Sequence, residues 1–133
     1  MYGVLGMRLI RMTSIQHDLH AAYVSHLSHI SSFVLANTVL DLEKNVTAIF
    51  DLASGGFEST VRLAKSSPAM WTPIFEQNRD NVVNALDSYI QHLQSFRETL
   101  VDKKYENTQR LMEEANQIKR VLANLGVRPK GKS

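Results

Sequence analysis

Cysteine is absent from this 133-residue chain. Disulfides, zinc–thiolate centres, iron–sulfur clusters and cysteine nucleophiles are therefore excluded. Glycine is scarce, and the six residues sit at 3, 6, 55, 56, 126 and 131. No spacing among them makes a GxGxxG or GxxxxGKS loop, so the chain carries no phosphate-cradling motif of its own. Any nucleotide chemistry has to come from another domain. Neither sign of charge dominates: fifteen Lys and Arg against thirteen Asp and Glu leave +2, too weak a bias to imply a nucleic-acid partner. Residues 1–6 lack a basic region and no small-residue cleavage site follows, so no signal peptide is expected. What is present is ordinary for a globular domain: 44% hydrophobic and 21% charged residues, in a length that fits one domain.

One stretch lacks charge altogether. Residues 21–40 contain no Asp, Glu, Lys or Arg and are long enough to span a bilayer. They also hold Ser25, His26, Ser28, His29, Ser31, Ser32, Asn37 and Thr38, which lipid would tolerate poorly. The reading is a helix buried at the centre of a globular domain, with no membrane partner.

Residues 5–12 alternate imperfectly between turn signals and read as a short strand. A lone strand cannot satisfy its own backbone, so residues 1–12 are read as the terminal strand of a sheet whose remainder lies elsewhere. Thr13 then has the character of a helix cap, with Gln16 completing a capping box. The helix it opens is expected to run from about Ser14 to about Leu42, with no Gly or Pro to stop it. Residues 45–52 read as a shorter helix, broken by Ser54-Gly55-Gly56, which tolerate positive φ. Residues 58–65 form one or two helical turns. Ser67-Pro68 is a helix-start signal, with Pro73 placing the start of the regular part near residue 72 or 73. From there to about Asp102 a stripe of Phe75, Val82, Leu86, Tyr89, Leu93, Phe96 and Leu100 has heptad-like spacing. Residues 103–106 make a turn. A last helix to about Leu125 repeats the spacing with Leu111, Ala115, Ile118, Leu122 and Leu125. Residues 126–133 read as a disordered basic tail. The fold expected of residues 13–125 is an all-α helical bundle. Its seams fit either an intramolecular bundle or a dimer. A homodimer is favoured, because one small domain has little else against which to bury three apolar helices.

The polar residues leave several readings open. His17, His20, His26 and His29 fall on one predicted helix. At about 100° per residue the first pair points nearly opposite to the second, and no HExxH motif exists, so a metal site is not expected. Each pair is either satisfied within the core, or one pair faces a pocket and supplies neutral hydrogen-bonding groups. Arg62 follows the Gly-Gly break. It is either a solvated surface residue or a planar fork for a carboxylate. Trp71, the one tryptophan, is a core or interface residue, or the wall of an aromatic pocket. Glu113-Glu114 read as solvated, and no Ser-His-Asp arrangement stands out.

Taken together, His17-Asp18, Ser25-His26-Leu27-Ser28-His29, Gly55-Gly56-Phe57, Arg62-Leu63-Ala64 and Pro68-Ala69-Met70-Trp71 resemble the C-terminal helical domain of prephenate dehydrogenases. That family shows an HD pair, an SHLPH run, GGGF, a TRIA-like segment and a P-x-M-W motif in this order. The resemblance covers roughly residues 5–125. It implies a cytoplasmic enzyme that oxidatively decarboxylates prephenate to 4-hydroxyphenylpyruvate, with hydride passing to NAD, in tyrosine biosynthesis. Arogenate is the alternative substrate, NADP the alternative cofactor and tyrosine a feedback ligand. The cofactor and the family's general catalytic histidine would belong to an N-terminal domain absent here, so this chain would hold no catalytic residue and would be inactive alone. The resemblance assigns Arg62 to a substrate carboxylate, and His17, Ser25, His26 and His29 to the substrate cleft. It gives Gly55 a close backbone approach and makes Trp71 a wall for the ring. Four positions depart from the pattern: Ser28 replaces a proline, Ser54 a glycine, Ser59 an acidic residue and Val61 a threonine. Two rival readings are a non-catalytic helical dimerisation module and a histidine-based metal protein.

Overall fold

The computed structural model describes residues 13–43 and 55–124. The predicted strand of residues 5–12, the short helix of residues 45–52, Ser54 and the tail of residues 126–133 lie outside the described residues. Every regular element within them is helical: α1 Ser14–Ala21, a π-helical turn Ala22–His26, α2 Leu27–Glu43, α3 Gly55–Thr60, a 3-10 turn Arg62–Lys65, α4 Pro68–Gln77, α5 Arg79–Val101, α6 Tyr105–Ala115 and α7 Ile118–Asn124. The all-α expectation holds. None of these helices is long and apolar enough to cross a membrane.

The helix starts are built locally, as expected. Thr13 Oγ1 accepts from the Gln16 backbone N–H at 3.0 Å, and the Gln16 side chain accepts from the Thr13 N–H at 3.2 Å. Two otherwise unpaired donors are thereby satisfied. Ser67 Oγ accepts from the Met70 N–H at 3.3 Å, with Pro68 in the first turn. This helix begins at Pro68 and runs through Pro73, not from residue 72 or 73 as the second proline suggested. Pro73 removes one donor from the ladder, and Ala69 and Pro73 are both exposed, so water can serve the carbonyl left over.

Three interruptions were not foreseen. The first long helix contains the π turn of residues 22–26. The expected helix from residue 73 to 102 is two helices that meet at Asn78, which adopts φ −114° and ψ 28°. The last helix breaks at residues 116–117.

By contact density the chain falls into two compact units, residues 1–87 and 88–133. In the first, the buried apolar cluster among the described residues is Ala22, Val82 and Ala85, with Ile30 and Leu86 packed against it. Among the described residues no large side chain is fully buried. The burial expected for residues 21–40 is met only in part among the described residues: Ala22, His26 and Ser32 are buried, while Val34 and Leu40 are exposed. The 3-10 turn packs on α2, and the buried Ser32 hydroxyl donates to the Thr60 carbonyl at 2.8 Å. The described residues supply too little apolar surface to cover the rest.

In the second unit, α5 ends in a paired-bond cap: the Lys104 N–H donates to Thr99 O at 2.8 Å and the Lys103 N–H to Leu100 O at 3.1 Å. This geometry needs a left-handed residue, and Lys103 supplies it at φ 59°. The buried Thr108 hydroxyl donates to Thr99 Oγ1 at 2.7 Å, and that hydroxyl donates to Phe96 O at 2.7 Å, which closes the turn. A side chain at positive φ costs about 1–2 kcal/mol where glycine costs nothing. Lys103→Gly should therefore stabilise the protein by roughly 1 kcal/mol, read as a rise in the thermal midpoint. A fall would show that the lysine side chain makes a compensating contact.

Candidate functional site

The π turn determines what the histidines do. One extra residue in a helical turn sets the downstream face back by about 100°. His26, predicted about 180° from His17, comes round to about 80°. His17, Asp18, Ala21 and His26 then line one open cleft of about 280 Å³, together with Ile74, Gln77 and Asn78. An ideal α-helix would not have allowed this. Ser28, in place of the family's proline, lies just beyond the turn, and its hydroxyl donates to Val24 O at 2.8 Å.

An aromatic cluster surrounds His26. Its ring stands edge-on to Trp71, with centroids 5.9 Å apart, and edge-on to Phe75 at 6.0 Å. His29 stacks on the other partner of this cluster, with its ring 3.7 Å from Trp71 and inclined by 25°. Trp71 and Phe75 touch at 5.5 Å. The His29 Nδ1 lies 2.9 Å from the Ser25 carbonyl. A carbonyl only accepts, so Nδ1 carries the proton and Nε2 is left as the acceptor. Ser25 thus contributes its backbone to this arrangement.

His26 is buried. Burial pushes its pKa below the ordinary histidine value, and His29 and His17 lower it further, while Asp18 works in the opposite direction. His26 is therefore a neutral imidazole near pH 7. The linkage has a definite sign. The unfolded chain takes up this proton first as pH falls through the ordinary value of about 6.5, so stability is present above that pH and is lost below it. Chemical denaturation of wild type and His26→Gln between about pH 5 and pH 8 should show a shallower acid loss in the variant. Parallel curves would mean that His26 does not contribute.

His17 lies at the exposed rim, with its Nδ1 3.6 Å from Asp18 Oδ1, a contact too solvated to contribute much stability. Arg62 lies on the 3-10 turn and is exposed. Among the described residues it has no ion-pair or hydrogen-bond partner. The Ser32–Thr60 bond ties the chain two residues before Arg62 to the helix turn after His29. Gly55 is the first residue of α3, and a Cβ built there would meet nothing within 4 Å. The packing of the described residues therefore does not itself demand glycine at this position. No group of His, Asp and Glu among the described residues could hold a metal ion.

Asn78 and Phe75 were missed as site residues. Phe75 was assigned to the apolar stripe, while Asn78 lies inside a run without Gly or Pro. The one available signal was that asparagine competes with helix through its own side chain.

Fold and site together define an all-α domain with a small cleft edged by the imidazoles of His17 and His26, the second of which also packs in an aromatic cluster with Trp71. The chain belongs to the prephenate dehydrogenase dimerization-domain family, whose pattern matches residues 13–114. Prephenate dehydrogenase of Bacillus subtilis (strain 168) is 30% identical over 98 residues, which is 74% of this chain and 26% of that protein. Cyclohexadienyl dehydrogenase of Zymomonas mobilis is 30% identical over 100 residues, 74% of this chain and 34% of that protein. Among solved structures, prephenate dehydrogenase from A. aeolicus, in complex with hydroxyphenyl propionate and NAD+, matches with a TM-score of 0.73 and 33% identity, covering 83% of this chain and 38% of that one. Arogenate dehydrogenase from Synechocystis matches with a TM-score of 0.73 and 26% identity, covering 87% of this chain and 42% of that one. The chain thus spans well under half the length of each of these relatives.

Proposed function

We propose that this chain is the C-terminal, homodimerising and substrate-binding part of an NAD-dependent prephenate dehydrogenase that acts in the cytoplasm. The observation that carries this reading is the His26–Trp71–His29 cluster beside the His17 cleft, in a chain of this family. Prephenate is a dianion with a ring. An exposed guanidinium at Arg62 suits one carboxylate, a ring N–H donor and a ring-nitrogen acceptor suit the remaining oxygens, and Trp71 supplies a flat wall. The described residues offer no cradle for a dinucleotide, and the two consecutive glycines at 55 and 56 open a helix. NAD would be held by a segment outside this chain, and this chain binds and orients the substrate.

Assaying the full-length protein with NAD and prephenate, and in parallel with arogenate, tests the reading through the absorbance of the reduced cofactor. Turnover of prephenate is expected. Turnover of arogenate alone would reassign the substrate, and activity with neither would leave the dimerisation module. Exposed Ile15, Val24, Val34 and Met70 support a second copy as the missing cover. Sedimentation should give about twice the 15.0 kDa chain mass, whereas a monomer at micromolar concentration would remove the dimer.

A further inference from the structure

The Asn78 side chain holds two elements of the site at once. Its Nδ2 donates to the Asp18 carbonyl at 2.8 Å and faces His26 Nδ1 at 3.3 Å. Its Oδ1 accepts from Asn81 Nδ2 at 2.9 Å. The Asp18 carbonyl can only accept, and the Asn81 amide nitrogen can only donate. Together they leave one orientation of the Asn78 amide, with its N–H groups toward α1 and His26. His26 Nδ1 must then accept, so the proton resides on Nε2.

Asn78 reaches this position through two irregularities that the sequence pattern does not require. One is the junction of α4 and α5 at residue 78, where φ −114° and ψ 28° depart from helical values. There the Asn78 carbonyl accepts from the Val82 N–H at 3.0 Å while its own N–H donates to Ile74 O at 3.3 Å. The π turn brings His26 round to meet it. The neighbouring imidazole is set the other way, because Ser25 O takes the Nδ1 proton of His29.

We infer that Asn78 is a positioning residue that locks His26 as the neutral Nε2–H tautomer, so that His26 and His29 offer opposite polarities, one donor and one acceptor. A ligand that reached both rings would present an accepting oxygen to His26 and a donating hydroxyl to His29. The bearing on substrate rests on the proposed function, whereas the tautomer itself does not. The groups that act on His26 are His29 from α2, His17 and Asp18 from α1, and the uncharged Trp71, Phe75 and Asn78 from the segment around α4.

Nitrogen-15 NMR of the imidazoles in the unmutated chain reads the tautomer directly, without substrate. His26 is expected as Nε2–H, with a bare Nδ1, and His29 as Nδ1–H. A His26 that carries its proton on Nδ1 overturns the inference, whether or not any variant folds and whatever the enzyme assay gives. In Asn78→Asp the new carboxylate accepts where the amide donated. His26 should switch to Nδ1–H and its pKa should rise by about one unit or more. In Asn78→Ala both tautomers should be populated. Variants that fold, by circular dichroism, and keep the wild-type tautomer and titration would reduce Asn78 to a packing role and overturn the inference.

Discussion

Replacing Arg62 by alanine in the full-length protein should lower kcat/KM for prephenate by about 30-fold to several thousand-fold, equivalent to roughly 2–5 kcal/mol of transition-state binding. Arg62 is exposed on the short turn Arg62–Lys65 and has no partner among the described residues. Its removal should therefore leave the folded state almost untouched, and the thermal midpoint should not move. A guanidinium that forms two parallel hydrogen bonds to a carboxylate loses both in alanine and recovers only the charge in lysine. Arg62→Lys should accordingly fall between wild type and alanine. An unchanged kcat/KM in Arg62→Ala would remove this residue from the substrate contacts, and a parallel loss of stability would make its role structural.

Enlarging Ala85 is the second large effect expected. Ala85 is 1% exposed and meets Ala22, itself fully buried in the π turn, with Val82 beside them. Two alanines at a buried contact allow the backbones to come close, and a leucine there would press on Ala22 and Val82. Overpacking of this kind costs about 1–3 kcal/mol, which corresponds to a fall of several degrees in the thermal midpoint for a chain of this size. So thin a core leaves little reserve. Because Ala22 is part of the π turn, Ala85→Leu should also disturb the His26 NMR signals. A variant with wild-type stability would mean that the contact is loose.

Part of the cleft and its aromatic cluster was legible in the sequence. The histidines and the tryptophan after Pro68 were named there, together with the family they resemble. Their arrangement was not legible. On an ideal helix His17 and His26 point apart, and the structure instead has them edging one cleft. Nothing in Ala22–His26 announces a π turn, since Ala, Tyr, Val and Ser all accept ordinary helical geometry. Asn78 was hidden for a related reason. A single asparagine in a long periodic run only weakly disfavours helix, and packing against α1 decides where the run breaks.

By itself the sequence determined whatever depends on neighbours three or four residues apart: the Thr13–Gln16 box, the Ser67–Pro68 start, the helical class and the family motif. Such interactions are written in the local order of residues and need no partner from elsewhere. Only the tertiary structure decided the π turn, the break at Asn78, the amide that bridges Asp18 to His26 and the exposure of α2. Each of these depends on which surfaces meet across a distance in sequence, and the weak local preferences yield wherever a buried contact outweighs them.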